Sequence, residues 1–154
     1  MVKEAIYLCV ISVLIGFVVN TFSTNPLPLI RPPDERIGKW PVRTAEEILE
    51  HMQDGTAILL DAREANYFQE GHIPGAVNVP ATQFGEVFAE VGEGLPREFP
   101  IIVYCQGGPC DESRDVLDHL ELLGFLTLSI YEGGWMDWET KQFPVEKNEE
   151  PSEN

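Results

Sequence analysis

Short apolar runs that alternate with helical patterns constrain the fold of this chain more than any other feature. Between the runs, apolar residues recur at helical spacing, most clearly over 112–123, where Gly124 supplies a stop. Such alternation predicts an α/β fold with a mainly parallel central sheet, helices on both faces and ligands at the carboxyl ends of the strands. The predicted strands cover 57–60, 76–79, 101–104 and 126–130.

Residue types that favour helix ends place two further helices. Thr44 and Glu47 form a capping box ahead of a predicted helix over 45–52, and Gly55 follows it. A second predicted helix covers 83–91 and is followed by two glycines. The first of these helices precedes the strand over 57–60, and the second lies between the strands over 76–79 and 101–104.

Cys105 stands at the C-terminal end of a predicted central strand and just before the helix over 112–123. The strand brings its sulfur to the edge of the sheet, and Gly107 and Gly108 allow backbone N–H groups to converge on it. The partial positive charge of the helix N-terminus then favours thiolate over thiol. Cys105 is therefore the candidate nucleophile.

Four motifs around Cys105 resemble those of a rhodanese domain. They are DARE at 61–64, GHIPGAVNVP at 71–80, YC at 104–105 and EGGW at 132–135. The resemblance runs from about 42 to 145, and the GHIPGA segment is its most specific part. It implies the three-layer rhodanese-like fold and a sulfurtransferase that carries sulfane sulfur as a persulfide on Cys105.

Three polar residues within these motifs are assigned to the scaffold. Asp61 and Arg63 are expected to hold the turn after the first strand by charge-assisted hydrogen bonds. His72 is expected to fix the Ile-Pro-Gly turn that follows it through a ring nitrogen. None of the three is predicted to take part in chemistry.

The glycine pair Gly133 and Gly134 precedes a predicted helix start. Trp135 and Trp138, three positions apart, are expected to pack on the core rather than to bind a ligand. His119, on the helix over 112–123, is expected to be solvated beside two aspartates. It is therefore a poor candidate for a catalytic base.

The loop after Cys105 departs from the family's pattern. Counting back from Gly124, Ser113 takes the place of the hydroxyl residue that begins the family's helix, so the loop is slightly longer and Glu112 stands where an arginine is usual. Asp111 and Glu112 then lie where an anionic donor would bind. Like charges ~4 Å apart at an effective dielectric near 20 repel by about 4 kcal/mol, so we expect thiosulfate to be a poor donor. The predicted active loop comprises Gln106, Gly107, Gly108, Pro109, Asp111, Glu112 and Ser113.

Cys110 supplies a second thiol in the same loop. A disulfide to Cys105 requires Cα atoms within about 7 Å, and it would persist on the oxidising side of a membrane. Cys110 could resolve a persulfide or a sulfenate on Cys105, or the bond could be an inert staple. Zinc held by the two cysteines and His119 matches no common ligand spacing, so neither metal nor cofactor is expected.

Charge limits the partners. The chain has 26 acidic against 10 basic side chains and a formal charge of −16, which argues against nucleic acid. The expected partners are a small sulfur donor, a thiol acceptor and, for a recognition domain, another protein. One domain with terminal extensions fits the 154 residues.

Residues 5–22 contain no charged side chain and as a helix reach ~27 Å, close to the thickness of a bilayer's hydrocarbon. They are predicted to be a transmembrane anchor or a signal segment, and the missing pair of small residues before a cleavage site favours the anchor. Lys3 in the short end 1–4 places that end in the cytoplasm. The domain is then extracytoplasmic, either periplasmic or extracellular, and Cys9 has no assigned role.

The segments on either side of the domain differ in composition. Residues 23–41 are rich in proline and are predicted to form a semi-stiff extended stalk. Residues 42–145 form the rhodanese-like domain, and the acidic tail 146–154 is predicted to be disordered because it has almost no apolar group to bury.

Three functions remain open from the sequence. The first is sulfane-sulfur transfer through Cys105, with Cys110 as a candidate resolving thiol. The second is a non-catalytic interaction module on a rhodanese fold, and the third is thiol–disulfide exchange by Cys105 and Cys110. The fold alone does not distinguish them.

Overall fold

A computed structural model of the chain describes residues 2–23, 35–108 and 110–147. The chain divides into two units, Met1–Glu35 and Arg36–Asn154. The first unit contains helix α1, Val2–Thr21. Its stretch Lys3–Thr21, with a mean hydropathy of 1.9, is long and apolar enough to cross a membrane. A signal sequence near an N-terminus has the same length and composition. The helix therefore fits both predicted roles.

The second unit contains a four-stranded sheet in which all strands are parallel and lie in the order β2-β1-β3-β4. The predicted α/β fold is confirmed. Strand β2 is shorter than predicted, and β4 begins two residues later because the N–H of Leu126 bonds the carbonyl of Arg97 instead of the sheet. The strands are β1 Ile58–Asp61, β2 Val77–Asn78, β3 Ile101–Tyr104 and β4 Leu128–Tyr131.

The part of this unit that the structure describes contains five α-helices around the sheet: α2 Ala45–Asp54, α3 Ala65–Glu70, α4 Phe84–Val91, α5 Glu112–Leu122 and α6 Gly134–Thr140. The predicted capping box begins α2, with Thr44 Oγ1 accepting from the Glu47 N–H at 3.2 Å and the Thr44 N–H donating to Glu47 at 2.8 Å. That backbone hydrogen bond lowers the pKa of Glu47. Gly55 ends α2 in the left-handed conformation, at φ 61°.

The core lies on both faces of the sheet because the side chains of each strand alternate between the faces. Ile101, Val103 and Cys105 pack on the side of α4 and α5, while Ile102 and Tyr104 pack on the side of α2, α3 and α6. All of β3 is buried, as expected of a central parallel strand. Cys105 therefore belongs to the first of these two core layers.

The N-terminal boundary of the domain differs from the prediction. Trp40 is 7% exposed and packs in the core, and Val42 forms a parallel bridge with Ile130. Lys39 pairs with Asp118 on α5 at 2.8 Å. The predicted stalk 23–41 is thus wrong at its C-terminal end, since buried apolar surface and ion pairs fix 36–41 to the domain. The rest of that segment, 24–34, lies outside the described residues.

The C-terminal boundary also shifts. Glu146 and His72 exchange two backbone hydrogen bonds, of 2.9 and 3.0 Å, and the Glu146 carboxylate accepts the N–H of Gly75 at 2.8 Å. The predicted disordered tail 146–154 is wrong at its first residue, because an isolated bridge holds it. Residues 148–154 lie outside the described residues.

Candidate functional site

Cys105 follows β3 directly, and its backbone is tied to α6. The carbonyl of Cys105 accepts the N–H of Trp135 at 2.9 Å, and that of Gln106 accepts the N–H of Met136 at 3.0 Å. The residue is 3% exposed. The loop therefore starts from a fixed position at the carboxyl edge of the sheet, as the sequence predicted.

Glycines allow this loop and the start of α6 to approach closely. Gly107 and Gly134 have φ of 102° and 59°, which side chains other than glycine rarely adopt. A Cβ on Gly134 would lie 2.5 Å from the nitrogen of Gly107 and 2.6 Å from the oxygen of Cys105, and one on Gly107 would overlap the carbonyl of Gly133. The Gly133-Gly134 pair therefore stands at the start of α6, as predicted, and lets this start contact the loop.

The two cysteine sulfurs of the loop lie within bonding distance of each other, and their Cα atoms are 6.6 Å apart. That separation is within the range of protein disulfides. Cys110 is half-buried, and its Sγ lies 2.7 Å from Glu112 Oε2. Cys105 Sγ lies 3.4 Å from Ser113 Oγ. The loop therefore gives each sulfur a different polar neighbour. Pro109, also predicted to be in the loop, lies outside the described residues.

A metal ion could be held by the same loop only with both thiols reduced. Cys105, Cys110 and Glu112 offer ligand atoms that all lie within 4.8 Å of one another. His119, the third ligand of the zinc alternative, is not among them. Its Nδ1 lies 2.7 Å from the Asp115 carbonyl oxygen, and its ring stacks on Phe84, so this alternative is wrong about its third ligand.

Asp61 and Arg63 form a buried ion pair at the end of β1. Arg63 Nε lies 3.0 Å from both carboxylate oxygens of Asp61, and Nη2 lies 2.6 Å from Oδ2. Nη2 also donates to the carbonyl of Gly71 at 2.8 Å. This is the predicted charge-assisted turn, and it further ties β1 to the end of α3.

His72 takes a different partner from the one predicted. Its Nδ1 lies 2.8 Å from the carbonyl oxygen of Phe68 at the end of α3, and its ring stacks on that of Phe68 at 3.7 Å. The ring reaches the Ile-Pro-Gly turn through Glu146 rather than by a direct bond, since Nε2 lies 3.7 Å from Glu146 Oε2, the oxygen that accepts the Gly75 N–H. The free carbonyls at the end of α3 provide a nearer acceptor, and Glu146 bonds the turn instead.

Tyr104 links the two motifs beneath the loop. Its hydroxyl oxygen accepts the N–H of Ile73 at 3.2 Å. Burial, assisted by the negative charge of Asp61, raises the pKa of Tyr104 well above its usual range. The hydroxyl therefore stays protonated and serves the scaffold.

A cleft of ≈ 650 Å³ adjoins the loop. Trp135 and Trp138 both pack in the core, as predicted, and Trp135, which is 9% exposed, also forms part of the cleft wall. Its lining residues Glu70 and Glu139 were not recognised from the sequence, because the strand and helix patterns do not show which exposed side chains meet. The cleft is lined by Arg63, Glu64, Tyr67, Glu70, Gly71, Gln106, Glu112, Trp135 and Glu139.

Only one of the two acidic loop residues faces this cleft. Glu112 lines it, whereas an oxygen of Asp111 lies 3.9 Å from a guanidinium nitrogen of Arg36. Arg36 also pairs with Asp115 and Asp118 on α5. Arg36 was not expected beside the loop, because it falls in the predicted stalk. Trp40, a large aromatic residue in the predicted stalk, was the one sequence feature to indicate that this segment packs on the domain.

The parallel sheet, the cysteine at the end of its central strand and the glycine-containing loop that follows define the class of this protein, an α/β domain with a cysteine-bearing loop at the carboxyl edge of its sheet. Within that class, the family model of the rhodanese-like domain matches residues 44–141. The chain therefore belongs to the rhodanese-like domain family.

Known relatives carry this domain within longer chains. The chain is 32% identical over 122 residues to 3-mercaptopyruvate sulfurtransferase of Escherichia coli, covering 65% of this chain and 43% of that protein. It is 29% identical over 104 residues to an HTH-type transcriptional regulator of Mycobacterium tuberculosis, covering 68% and 44%. The chain thus spans less than half the length of these relatives.

A crystal structure of a Bacillus halodurans protein is similar in fold. It matches with a TM-score of 0.63 and 25% identity, over 72% of this chain and 80% of that one. Sulfurtransferase relatives imply a sulfur donor and an acceptor in general terms for this family.

Proposed function

We propose that this chain transfers sulfane sulfur through a persulfide on Cys105, with Cys110 as the resolving thiol. The observation that carries the proposal is the placement of two cysteine sulfurs within bonding distance in the loop after the central strand of a rhodanese-like domain. The acidic residue Glu112 at the cleft argues against thiosulfate as donor. A polysulfide is a more suitable donor than thiosulfate because its charge is spread along a chain of sulfur atoms.

The transfer has two steps. The Cys105 thiolate attacks the sulfane sulfur of the donor, a new S–S bond forms, and the remainder of the donor leaves as a thiolate or a shorter polysulfide. An acceptor thiolate then attacks the outer sulfur of the persulfide and releases the Cys105 thiolate. Atoms and electrons balance without a cofactor.

Cys110 gives the persulfide a second outcome. If the Cys110 thiolate attacks Cys105 Sγ, the Cys105–Cys110 disulfide forms and the carried sulfur leaves as hydrosulfide. External thiols must then reduce the disulfide before another turnover. Glu112, 2.7 Å from Cys110 Sγ, is placed to accept the proton of that thiol.

The proposed location is the extracytoplasmic side of a membrane, with residues 5–22 as an uncleaved anchor. The apolar helix α1 supports an anchor or a signal segment. A Cys105–Cys110 disulfide would be maintained in such an oxidising compartment.

Thiol–disulfide exchange without sulfane sulfur is the second candidate. The observation that favours it is the Cα separation of 6.6 Å together with the 3% exposure of Cys105, which leaves half-buried Cys110 as the sulfur that an external thiol reaches first. In this function Cys110 forms the mixed disulfide and Cys105 resolves it.

Mass spectrometry of the reduced full-length chain after brief exposure to polysulfide tests the proposal. We expect an adduct of one sulfur in wild type and in Cys110→Ser, and none in Cys105→Ser. Cys110→Ser should retain the adduct longer, because the resolving thiol is absent. Cys9→Ser is the matched control and should behave as wild type.

The alternatives predict other results. Loss of two hydrogens in wild type with no sulfur adduct in any variant indicates exchange chemistry. If neither a sulfur adduct nor a disulfide forms, before or after exposure to polysulfide, the result supports the non-catalytic interaction module. An adduct that survives Cys105→Ser contradicts the assignment of the nucleophile.

A further inference from the structure

We propose that the cleft beside the cysteine loop selects a cationic thiol as its acceptor, either a small aminothiol or a cysteine among basic residues. The proposal rests on the sulfur-transfer function above and names its substrate class. It follows from the charges, the aromatic walls and the position of the cleft relative to the reactive sulfurs.

The carboxylates of the cleft come from four separate places in the fold. Glu64 precedes α3, Glu70 ends it, Glu112 begins α5 and Glu139 lies in the last turn of α6. All four are exposed, so their charges face the solvent that fills the cleft. An incoming cation meets them together, whereas an anion is repelled by all four.

The only cation among the described residues that line the cleft, Arg63, does not offset them. Asp61 holds its guanidinium through both oxygens, and the carbonyl of Gly71 takes a further N–H. The Arg63 side chain is 4% exposed and stacks over Trp135 at 4.8 Å. Its charge is balanced by Asp61, so the cleft keeps its acidic character.

Two aromatic residues complete the walls. Tyr67 is half exposed and Trp135 is largely buried, with part of its ring at the cleft. The faces of aromatic rings attract ammonium and guanidinium groups. The ring of Tyr67 is therefore available to a cationic ligand beside the carboxylates, whereas the ring of Trp135 already has the Arg63 guanidinium over it.

The cleft reaches the reactive loop. Gln106, the neighbour of Cys105, lines it, and so does Glu112, whose carboxylate lies 2.7 Å from Cys110 Sγ. A cationic thiol bound in the cleft therefore has its sulfur near those of Cys105 and Cys110. That thiolate attacks the outer sulfur of the Cys105 persulfide, the bond to Cys105 Sγ breaks, and the acceptor leaves as its persulfide.

The test uses three small thiols of differing charge: cysteamine, 2-mercaptoethanol and mercaptoacetate. Rates of sulfane transfer from the persulfide of full-length Cys110→Ser, which lacks the resolving thiol, are measured per thiolate at about 0.02 M and about 0.2 M salt, which shortens the Debye length from roughly 20 Å to roughly 7 Å. As thiolates, cysteamine, 2-mercaptoethanol and mercaptoacetate carry zero, one and two net negative charges. We therefore expect higher salt to lower the advantage of cysteamine over mercaptoacetate by about threefold or more, with 2-mercaptoethanol between the two.

Paired variants separate the cleft from the overall negative charge of the chain. Glu70→Gln combined with Glu139→Gln removes two cleft carboxylates. Glu50→Gln combined with Glu90→Gln removes two exposed carboxylates from α2 and α4, outside the cleft. The first pair should lower the advantage of cysteamine over mercaptoacetate by about fivefold or more, and the second should leave it nearly unchanged.

A parallel series distinguishes this inference from the proposed function. The same three thiols reduce the oxidised chain by attack on its Cys105–Cys110 disulfide, which requires no persulfide. If no persulfide forms but cysteamine is still preferred here in a cleft-dependent way, the sulfur-transfer function fails and the cation selectivity of the cleft stands. Equal rates for the three thiols in both series, or equal effects of the two variant pairs, overturn the inference.

Discussion

The loops after β1 and β3 leave the same edge of the sheet but are held by different means. The β1 loop is fixed by side chains, through the buried ion pair of Asp61 and Arg63. The β3 loop is fixed by its backbone, through the hydrogen bonds of Cys105 and Gln106 to the start of α6. Backbone fixation leaves the side chains of the β3 loop available for chemistry, while the side chains of the β1 loop are occupied.

The largest expected effect comes from breaking the β1 loop. Arg63→Leu leaves the Asp61 carboxylate buried without its partner, which should lower the free energy of unfolding by about 3–5 kcal/mol. Chemical denaturation followed by tryptophan fluorescence measures it. The control Lys141→Leu breaks an exposed pair with Asp137 and should cost less than about 1 kcal/mol. Equal losses would show that the buried pair is not what holds this loop.

The backbone contact of the β3 loop can be broken by one methyl group. Gly134→Ala places a Cβ against Gly107 and Cys105, whereas Gly55→Ala meets nothing within 4 Å at nearly the same φ, 61° against 59°. In both variants the left-handed conformation should lower the free energy of unfolding by about 1–2 kcal/mol. In Gly134→Ala the overlap should lower it by a further ~1–3 kcal/mol.

The difference between the two alanine variants, measured by denaturation, therefore isolates the approach of the loop to α6. Gly134→Ala should also slow formation of the polysulfide adduct on Cys105, and Gly55→Ala should not. If the two lose the same stability, the loop is not held by this contact.

The proposed disulfide adds a covalent restraint to the β3 loop alone. Closing so short a loop should stabilise the fold by about 2 kcal/mol. A reductant should therefore lower the free energy of unfolding of wild type and of Cys9→Ser by that amount. Cys110→Ser should be unaffected by the reductant, and a decrease in it would contradict the pairing.

The smallest effect concerns Tyr104, which lies between the two loops. Burial raises its pKa in the folded state above the ordinary value of 10.0, so the neutral form stabilises the fold fully below pH 10.0 and this stabilisation is lost as the pH rises above it. Between about pH 9 and about pH 11 the free energy of unfolding should fall by about 1 kcal/mol from this group.

Thermal denaturation across that pH range measures the effect. Tyr104→Phe should reduce the alkaline loss, and Tyr67→Phe, at an exposed tyrosine, should not. If Tyr104→Phe loses as much stability at alkaline pH as wild type, other groups cause the loss. Tyr131 is one such group, because burial and a hydrogen bond to Asp137 also raise its pKa.

Local signals in the sequence were sufficient for much of the fold. The capping box of Thr44 and Glu47, the apolar run of β3 and the stop at Gly124 each depend on neighbours within a few residues, so the elements lie where predicted to within two residues. The scaffold role of the Asp61–Arg63 turn was also predictable, since its two partners are two positions apart.

Long-range partners could not be predicted in the same way. The hydrogen bond of His72 depends on where α3 ends, and the pairing of Arg36 with Asp111, Asp115 and Asp118 joins residues about 80 positions apart. The four glutamates of the cleft come from elements whose relative placement only the packed sheet decides. An exposed carboxylate has no periodic pattern that reveals which others it will face.

The sequence by itself determined the parallel α/β fold, the candidate nucleophile Cys105 and the apolar N-terminal helix, because strand, helix and hydrophobic length are properties of contiguous residues. Only the tertiary structure decided that Gly134 must lie against the loop, that Trp135 lines a cleft and that residues 36–41 belong to the domain. These depend on contacts between distant segments, which form when both faces of the sheet are buried.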